Sequence, residues 1–265
     1  MATILYHGEP NGPSLAVLAA MAETGADTAL GIECRAIDLL KGERHTIPDL
    51  VEPLARDMGV EGEGPVLVVE GEALTESVFL AQFFDEVGDG ASLQPSDPYA
   101  HWEMMMWCRQ ITERLSPAAA LLGNLASSHR HLDALSDDAF AAQVEPIASA
   151  DLKVRWDLVR DGEADDAQLE DCEAKVMQAL ERCESKLGDG REWLMGPLTI
   201  ADFETFAWLV GMEPIVPGAF QGKPATRQWM ARVRARPSVV AALARATRGE
   251  PERAWAPGPE INRWG

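Results

Sequence analysis

Apolar positions along the chain follow two regimes. Before residue 88 they gather in short extended runs, Thr3 to Tyr6, Ile32 to Ile37 and Pro65 to Val69, the pattern of strands with little exposure on either face. Between the first two runs, Ser14 to Thr24 repeats at helical spacing and stops at Gly25, a residue that ends helices in the left-handed conformation. Strand, helix, strand is a βαβ opening. A turn at Glu70-Gly71-Glu72 sends the chain back toward Leu74 as a hairpin, and a helix is predicted over Glu76 to Val87. That order predicts a mixed sheet of four strands covered by helices.

Gly88-Asp89-Gly90-Ala91-Ser92 and Pro95 obey neither period, so residues 88–96 read as a linker. Beyond it the pattern is helical throughout. Asp97-Pro98 is an N-cap followed by proline at the first helical position, and Met104, Trp107, Cys108, Ile111 and Leu115 form an inward stripe up to Pro117, where an interruption or kink is expected. Further helices are predicted around Asp137 to Val159, Asp165 to Leu187, Thr199 to Val210 and Thr226 to Ala246. The expected organisation is an α/β thioredoxin-like domain over residues 1–87, a linker over 88–96, an all-α domain over 97–248 and a Pro-rich tail over 249–265. Trp255 and Trp264 in that tail are expected to dock on the cleft between domains or on a partner, which hides their rings.

Charge narrows the function. Acidic residues outnumber basic ones 43 to 23, a net charge of −20 that repels a phosphate backbone and anionic headgroups, so neither nucleic acid nor a membrane surface is an expected partner. The first residues, Met1 to His7, carry no basic n-region, and the apolar run Leu15 to Ala22 is too short to span a bilayer; neither export nor membrane insertion is expected. Cys34, Cys108, Cys172 and Cys183 show no C-x-x-C spacing. Leu169, Cys172, Val176, Leu180, Cys183 and Leu187 recur at steps of three and four, which places two of the thiols on the buried stripe of one helix and fits a reducing, cytoplasmic compartment. His101, His129 and His131 lack a matching ligand set, so no metal site is expected. The acidic residues Asp161, Glu163, Asp165 and Asp166 open a helix, where the dipole favours them without further function.

Three motifs stand in order along the chain. Gly64-Pro65, a strand, a hairpin and then Leu74-Thr75-Glu76-Ser77 entering a helix form the first. Leu198-Thr199-Ile200-Ala201-Asp202-Phe203 is a capping box with a hydrophobic staple, Thr199 as N-cap and Asp202 at N3. Trp229-Met230-Ala231-Arg232-Val233-Arg234-Ala235-Arg236-Pro237 is the third. Together they resemble the glutathione S-transferase superfamily. The resemblance implies glutathione as co-substrate, with a cis bond at Gly64-Pro65 and the backbone before the strand pairing with the tripeptide. It also implies Ser77 at a helix N-terminus holding the γ-glutamyl carboxylate, and Glu76 accepting the α-ammonium. On the residues alone, Glu76 and Ser77 equally read as a helix cap.

Leu5-Tyr6, Pro10, Ser14-Leu15, Leu93-Gln94-Pro95-Ser96-Asp97-Pro98-Tyr99 and the long segment Asp133 to Asp161 resemble the bacterial β-etherases of lignin breakdown. That likeness implies displacement of a phenoxide from the carbon β to an aryl ketone, an aromatic small-molecule substrate, and a dimer that is homodimeric or pairs with a related transferase subunit. Such chemistry needs donors aimed at sulfur, because free thiols titrate near about 8.5. The loop His7-Gly8-Glu9-Pro10-Asn11-Gly12-Pro13-Ser14 supplies Ser14 first and Asn11 second, with Tyr6 as plain strand. Trp102, Met105 and Met106 are candidates for the aromatic pocket, whereas Met104 and Trp107 read as packing. Two departures from the family pattern stand out. Pro13, which has no donor, occupies the place of an asparagine, and Met58-Gly59-Val60-Glu61-Gly62-Glu63 replaces the usual approach to the Gly-Pro step with added carboxylates. They leave open a catalytically weak partner subunit of a heterodimeric β-etherase, or a general glutathione-conjugating transferase.

Overall fold

The computed structural model of the chain describes residues 2–58, 64–250 and 258–260. Strands β1 (Ile4–His7), β2 (Glu33–Ala36), β3 (Val66–Val69) and β4 (Glu72–Leu74) form one sheet in the order β2-β1-β3-β4. β1 runs parallel to β2 and antiparallel to β3, which pairs antiparallel with β4. The period of two sorts the side chains between two cores. Leu5 and Leu67 face the main core, while Ile4, Tyr6, Val66 and Val68 face a smaller one with Ile37, Leu50 and Leu54. At the hairpin, Glu70 (φ 53°) and Gly71 (φ 88°) both take positive φ, which matches the right-handed twist of the strands it joins.

The helix Gly12–Thr24 ends at Gly25, left-handed at φ 71°. Every residue from Gly12 to Met21 is buried, because the helix packs on Ser77–Val87 of its own domain and on Ile200–Leu209 and Pro237–Leu243 of the helical domain. It is therefore apolar all round rather than striped. The segment 88–96 has no helix or strand, yet it is fixed: Leu93 is fully buried, its N–H donates to Asp85, and its carbonyl accepts from Ile200 N–H at 3.1 Å.

Helix boundaries differ from expectation at three prolines. Pro117 does not interrupt the first long helix, which continues over 98–133. A π turn at Ile111–Leu115 lies directly before the proline, and a second one at Asn124–Ser128 follows; a widened turn accommodates a ring that cannot donate and that crowds the preceding carbonyl. The helix expected over Asp137 to Val159 is two helices, Asp137–Val144 and Ala150–Asp161, parted around Pro146, and Ser149 caps the second. The last predicted helix is likewise two, Pro224–Arg234 and Pro237–Leu243, with Pro237 opening the second. Between these ends, Asp166–Leu187 is capped by the Asp165 carboxylate and buries Cys172 and Cys183 on one face.

Ile200–Leu209 is buried at all its positions and is the hub of the helical domain. Asp202 at its first turn receives Thr199 N–H (2.9 Å), Leu194 N–H (2.9 Å) and Trp229 Nε1–H (2.8 Å). Three chain segments are tied by one carboxylate. Phe140, Trp156 and Ile147 give the 137–161 segment its own small core. The described part of the tail crosses back between the domains: Asn124 Nδ2 donates to Gly258 O, and buried Glu260 meets Arg44 and His45 of the α/β domain and Trp156 Nε1 of the helical one. Burial works to raise the Glu260 pKa, but the His45 hydrogen bond and the Arg44 charge outweigh it and hold the group below the usual carboxylate range. Trp255, Trp264 and residues 59–63 lie outside the described residues.

Replacing Asp202 by alanine strands three buried donors at once, each costing about 1–3 kcal/mol. Asp202→Ala is expected to lower the unfolding free energy by at least about 3 kcal/mol in urea titration; a loss under about 1 kcal/mol would contradict the tie described.

Candidate active site

The loop after β1 is built on close approaches. A Cβ on Gly8 would lie 2.6 Å from Leu39 Cδ1, one on Gly12 3.3 Å from the Trp208 ring, and one on Gly64 3.3 Å from Pro13 Cβ. Gly12 and Gly64 also hold positive φ, 47° and 72°, where a side chain is strained as well as crowded. Pro13 thus sits against Gly64, which brings the loop before the first helix to the start of β3.

Asn11 is the N-cap of that helix, in extended conformation, and its amide nitrogen and oxygen are both buried without a hydrogen-bond partner among the described residues. Ser14 Oγ accepts from Gly8 N–H at 3.0 Å, which orients the hydroxyl, and its own proton has no acceptor among the described residues. His7 is buried and bonded to Gly8 O; burial lowers its pKa, which disfavours the charged imidazolium. Tyr6 is a buried strand residue.

At this start of β3 the resemblance implied a cis bond between Gly64 and Pro65. That bond is trans, and the left-handed Gly64 takes up the change of direction before the strand. After β4, Thr75 Oγ1 is buried with no partner among the described residues. Glu76 follows at φ 71°, ψ 114°, outside the helix it precedes and in a region that a residue with a side chain enters only at a cost. Ser77 is the first residue of the helix Ser77–Val87, one residue later than predicted.

One cleft of about 630 Å³ opens at this place between the domains, within the range of small-molecule sites. Gly64, Glu76 and Ser77 lie on one wall; Trp102, Met105 and Met106 of the long helix lie on another; Pro13, Glu204 and Trp208 close the inner end. Pro65 is buried behind Gly64, and Asn11 and Ser14 flank Pro13 on the loop without lining the cleft. Met104 is fully buried, and Trp107 is buried with its Nε1–H donating to Thr205 at 2.9 Å.

Glu204 escaped sequence reasoning, as did Trp208. Both lie on the buried helix Ile200–Leu209. Glu204 Oε1 accepts from Ser77 Oγ at 3.1 Å and from Trp208 Nε1 at 2.9 Å, so a carboxylate of the helical domain holds the hydroxyl that opens the helix of the other. Burial raises its pKa to about 7 against the pull of those two hydrogen bonds. The signal available in the sequence was a second carboxylate inside a helix that is otherwise apolar or small, two residues after the capping Asp202.

Other candidate chemistries find no support in the geometry. All four cysteines are free, and burial raises each thiol pKa, Cys108 and Cys183 most, so none is an activated nucleophile. Among the described residues no cluster of histidine, cysteine and carboxylate is arranged to hold a metal, and no helix is long and apolar enough to cross a membrane.

Residues 132–237 match the family model "Glutathione S-transferase, C-terminal domain". Over 247 residues the chain is 26% identical to Protein LigF of Sphingobium sp. (strain NBRC 103272 / SYK-6), covering 89% of this chain and 90% of LigF. The crystal structure of β-etherase LigF from Sphingobium sp. strain SYK-6 superposes with a TM-score of 0.79 at 22% identity, covering 93% of this chain and 100% of that one. A glutathione transferase homologue from Sulfitobacter with bound glutathione superposes at 0.60, with 19% identity over 91% of this chain and 96% of that one. A Burkholderia graminis glutathione transferase with two glutathione molecules bound per subunit does so at 0.61, with 22% identity over 94% of this chain and 90% of that one. The chain therefore has the glutathione S-transferase fold, a thioredoxin-like domain followed by a helical one. Over most of its length it is similar to the bacterial β-etherase LigF.

The electrostatics of Glu204 have a measurable consequence. Its folded-state pKa lies above the ordinary 4.5, so the folded protein holds the proton more tightly than the unfolded chain; the stabilisation is full below about pH 4.5 and is lost as pH rises through about 7. Glu204→Gln removes this dependence. Plotted against pH, the stability difference between wild type and Glu204→Gln is expected to move against the wild type from pH 4.5 to 7; a flat difference would contradict the assignment.

Proposed function

We propose that the chain is a glutathione-dependent transferase of β-etherase type, acting on an aromatic small molecule that carries a β-aryl ether beside a ketone. The observation that carries this reading is the single cleft in which Gly64, Glu76 and Ser77 face Trp102, Met105 and Met106. One side is polar and sits at a helix N-terminus; the other offers aromatic and thioether surface to a flat ring. Glutathione, when bound, would supply a thiolate nucleophile for the β carbon, the ether C–O electron pair leaving with the phenoxide and the proton released by the thiol returning to it as phenol.

The chain's own residues do the rest. Gly64 offers backbone N–H and C=O to an extended peptide in the manner of an added strand, with Pro65 fixing the strand behind it. Ser77 N–H, at the positive end of its helix, takes a carboxylate, and Glu76 borders the same end. The Ser14 hydroxyl, oriented by Gly8 N–H, and the Asn11 amide are the donors for sulfur at the N-terminus of the first helix. Trp102, Met105 and Met106 hold the arene and exclude water. Unpaired cysteines fit a cytoplasmic setting. Tyr99 and Trp102, exposed with ring centroids 5.7 Å apart, and exposed Phe79, which lines the cleft with Trp102, suit a dimer with a second copy or a related subunit.

A second reading follows from one observation: Asn11 and Ser14 are 1% and 4% exposed, on either side of the donor-less Pro13. On that reading the chain is a weakly active partner that completes a dimer with a related catalytic subunit. Calorimetric titration of glutathione into the pure protein, followed by assay of phenol release from a β-aryl ether ketone, tests the first reading. Ser14→Ala or Asn11→Ala is expected to slow turnover by roughly tenfold to a thousandfold where the donor serves sulfur. Unchanged turnover in both, measured beside a coexpressed related subunit whose own loop is intact, would favour the partner reading instead.

A further inference from the structure

The end of the chain closes on the two stretches that follow the parallel strands β1 and β2. Past the last helix, the Glu9 carboxylate accepts from Thr247 N–H at 2.9 Å and from the Thr247 hydroxyl, and the Arg248 guanidinium pairs with Asp38. Farther on, Gly258, Pro259 and Glu260 are all buried. Gly258 O accepts from Asn124 Nδ2 at 3.0 Å and Glu260 O from Arg155 Nη1 at 2.8 Å. The Glu260 carboxylate meets His45 Nε2 at 2.5 Å, Trp156 Nε1–H at 3.1 Å and Arg44 Nη1 at 3.4 Å. Beneath these contacts lies the loop that carries Ser14. A Cβ on Gly258 would stand 2.9 Å from Leu39 Cβ, and a Cβ on Gly8 would stand 2.6 Å from Leu39 Cδ1 and 3.5 Å from Ser14 Oγ. Gly258 therefore presses on Leu39, and Leu39 presses on the backbone whose N–H orients the Ser14 hydroxyl.

We infer that residues 258–260 are an autoinhibitory strap and that the Glu260 carboxylate is its clasp: while the clasp is shut, Leu39 is pinned over Gly8, and Ser14 and Asn11 are closed off from the cleft. Two observations carry this. First, Asn11 and Ser14 are buried and neither lines the cleft, and both amide atoms of Asn11 lack a partner among the described residues. Such unmet groups destabilise the closed arrangement, and opening relieves them. Second, the clasp itself is incomplete. Arg44 is 4% exposed, yet Glu260 reaches only its Nη1, near the outer limit of a hydrogen bond, and Nε and Nη2 are buried without a partner among the described residues. A buried ion pair with unmet donors stabilises little beyond the hydration it forfeits, so water regained by Arg44 and Glu260 offsets much of the cost of release. The strap is also gripped from both domains, by Arg44 and His45 on one side and by Asn124, Arg155 and Trp156 on the other. Closure rests on these contacts alone; its effect on turnover rests on the glutathione reading above.

Thiol labelling reads the closure without glutathione. Ser14→Cys places a thiol where the hydroxyl stood, and Cys183, fully buried in the helical domain, reports unfolding of the chain as a whole. With iodoacetamide as the probe and mass spectrometry to locate the label, the introduced thiol is expected to react at least about tenfold faster once Glu260→Ala is added, while Cys183 is unchanged. Equal labelling of the introduced thiol with and without Glu260→Ala, whether fast or slow, overturns the inference. Should Cys183 also react faster, Glu260→Gln, which keeps the side-chain volume and removes the charge, takes the place of Glu260→Ala; a rise confined to the introduced thiol is expected there too, and parallel or absent acceleration overturns the inference. Calorimetry on the chain with Ser14 intact separates the strap from the functional reading. Glu260→Ala is expected to bind glutathione about tenfold more tightly than the wild type, because a larger fraction of the protein is open. Equal affinity overturns the inhibitory role. Faster labelling with no glutathione bound by either protein leaves the strap standing and overturns the glutathione reading.

Discussion

The architecture around the cleft depends on one helix with no face toward water. Ile200–Leu209 is buried at every position, and it carries two carboxylates there, Asp202 and Glu204. Two residues along a helix turn a side chain by about 200°, so the two acids point to opposite sides. Asp202 draws three segments of the helical domain onto the helix start, and Glu204 reaches outward to Ser77 at the domain boundary. Both are held above their ordinary pKa by burial. The helix stabilises its own domain through one acid and positions the neighbouring domain through the other.

The cleft is accordingly a product of the domain boundary and belongs to neither domain alone. The α/β domain contributes the left-handed Gly64, the strained Glu76 and the helix N-terminus at Ser77, while the helical domain contributes the Trp102-Met105-Met106 wall and the Glu204-Trp208 floor. The first helix is wedged between them, with Gly12 against Trp208 and Pro13 against Gly64. Any change that spreads the domains opens the floor, uncovers the first helix and releases Ser77 together. The Glu260 contacts to Arg44, His45 and Trp156 add a second strap across the same boundary, far along the chain from the first.

Local rules read correctly wherever one segment decided the outcome. Gly25 closes its helix, Glu70-Gly71 makes its hairpin, Asp97 and Asp165 cap theirs, and the Cys172-Cys183 stripe is buried. They failed where the environment chose between permitted alternatives. Pro117 was free to end a helix or to be absorbed by a widened turn, and the helix takes the second course with the π turn at Ile111–Leu115. Pro146 and Pro237 had no such support and broke their helices. At Gly64-Pro65 the chain turns through the glycine's φ with a trans bond.

The sequence by itself determined the two-domain plan, the mixed sheet and the candidates among which the cleft residues Gly64, Glu76, Ser77, Trp102, Met105 and Met106 are found, because period, caps and turn residues act over a few positions. Only the tertiary structure decided which of them meet. Glu204 is an ordinary acid in the sequence; it becomes the floor of a site because a buried helix of one domain is pressed against the helix start of another. Ser14 and Asn11 stand within two residues of Pro13 in the chain, yet of the three only Pro13 lines the cleft. The physical reason is the same in both cases: burial and hydrogen-bond partners are properties of surfaces brought together from distant segments, and no local spacing encodes them.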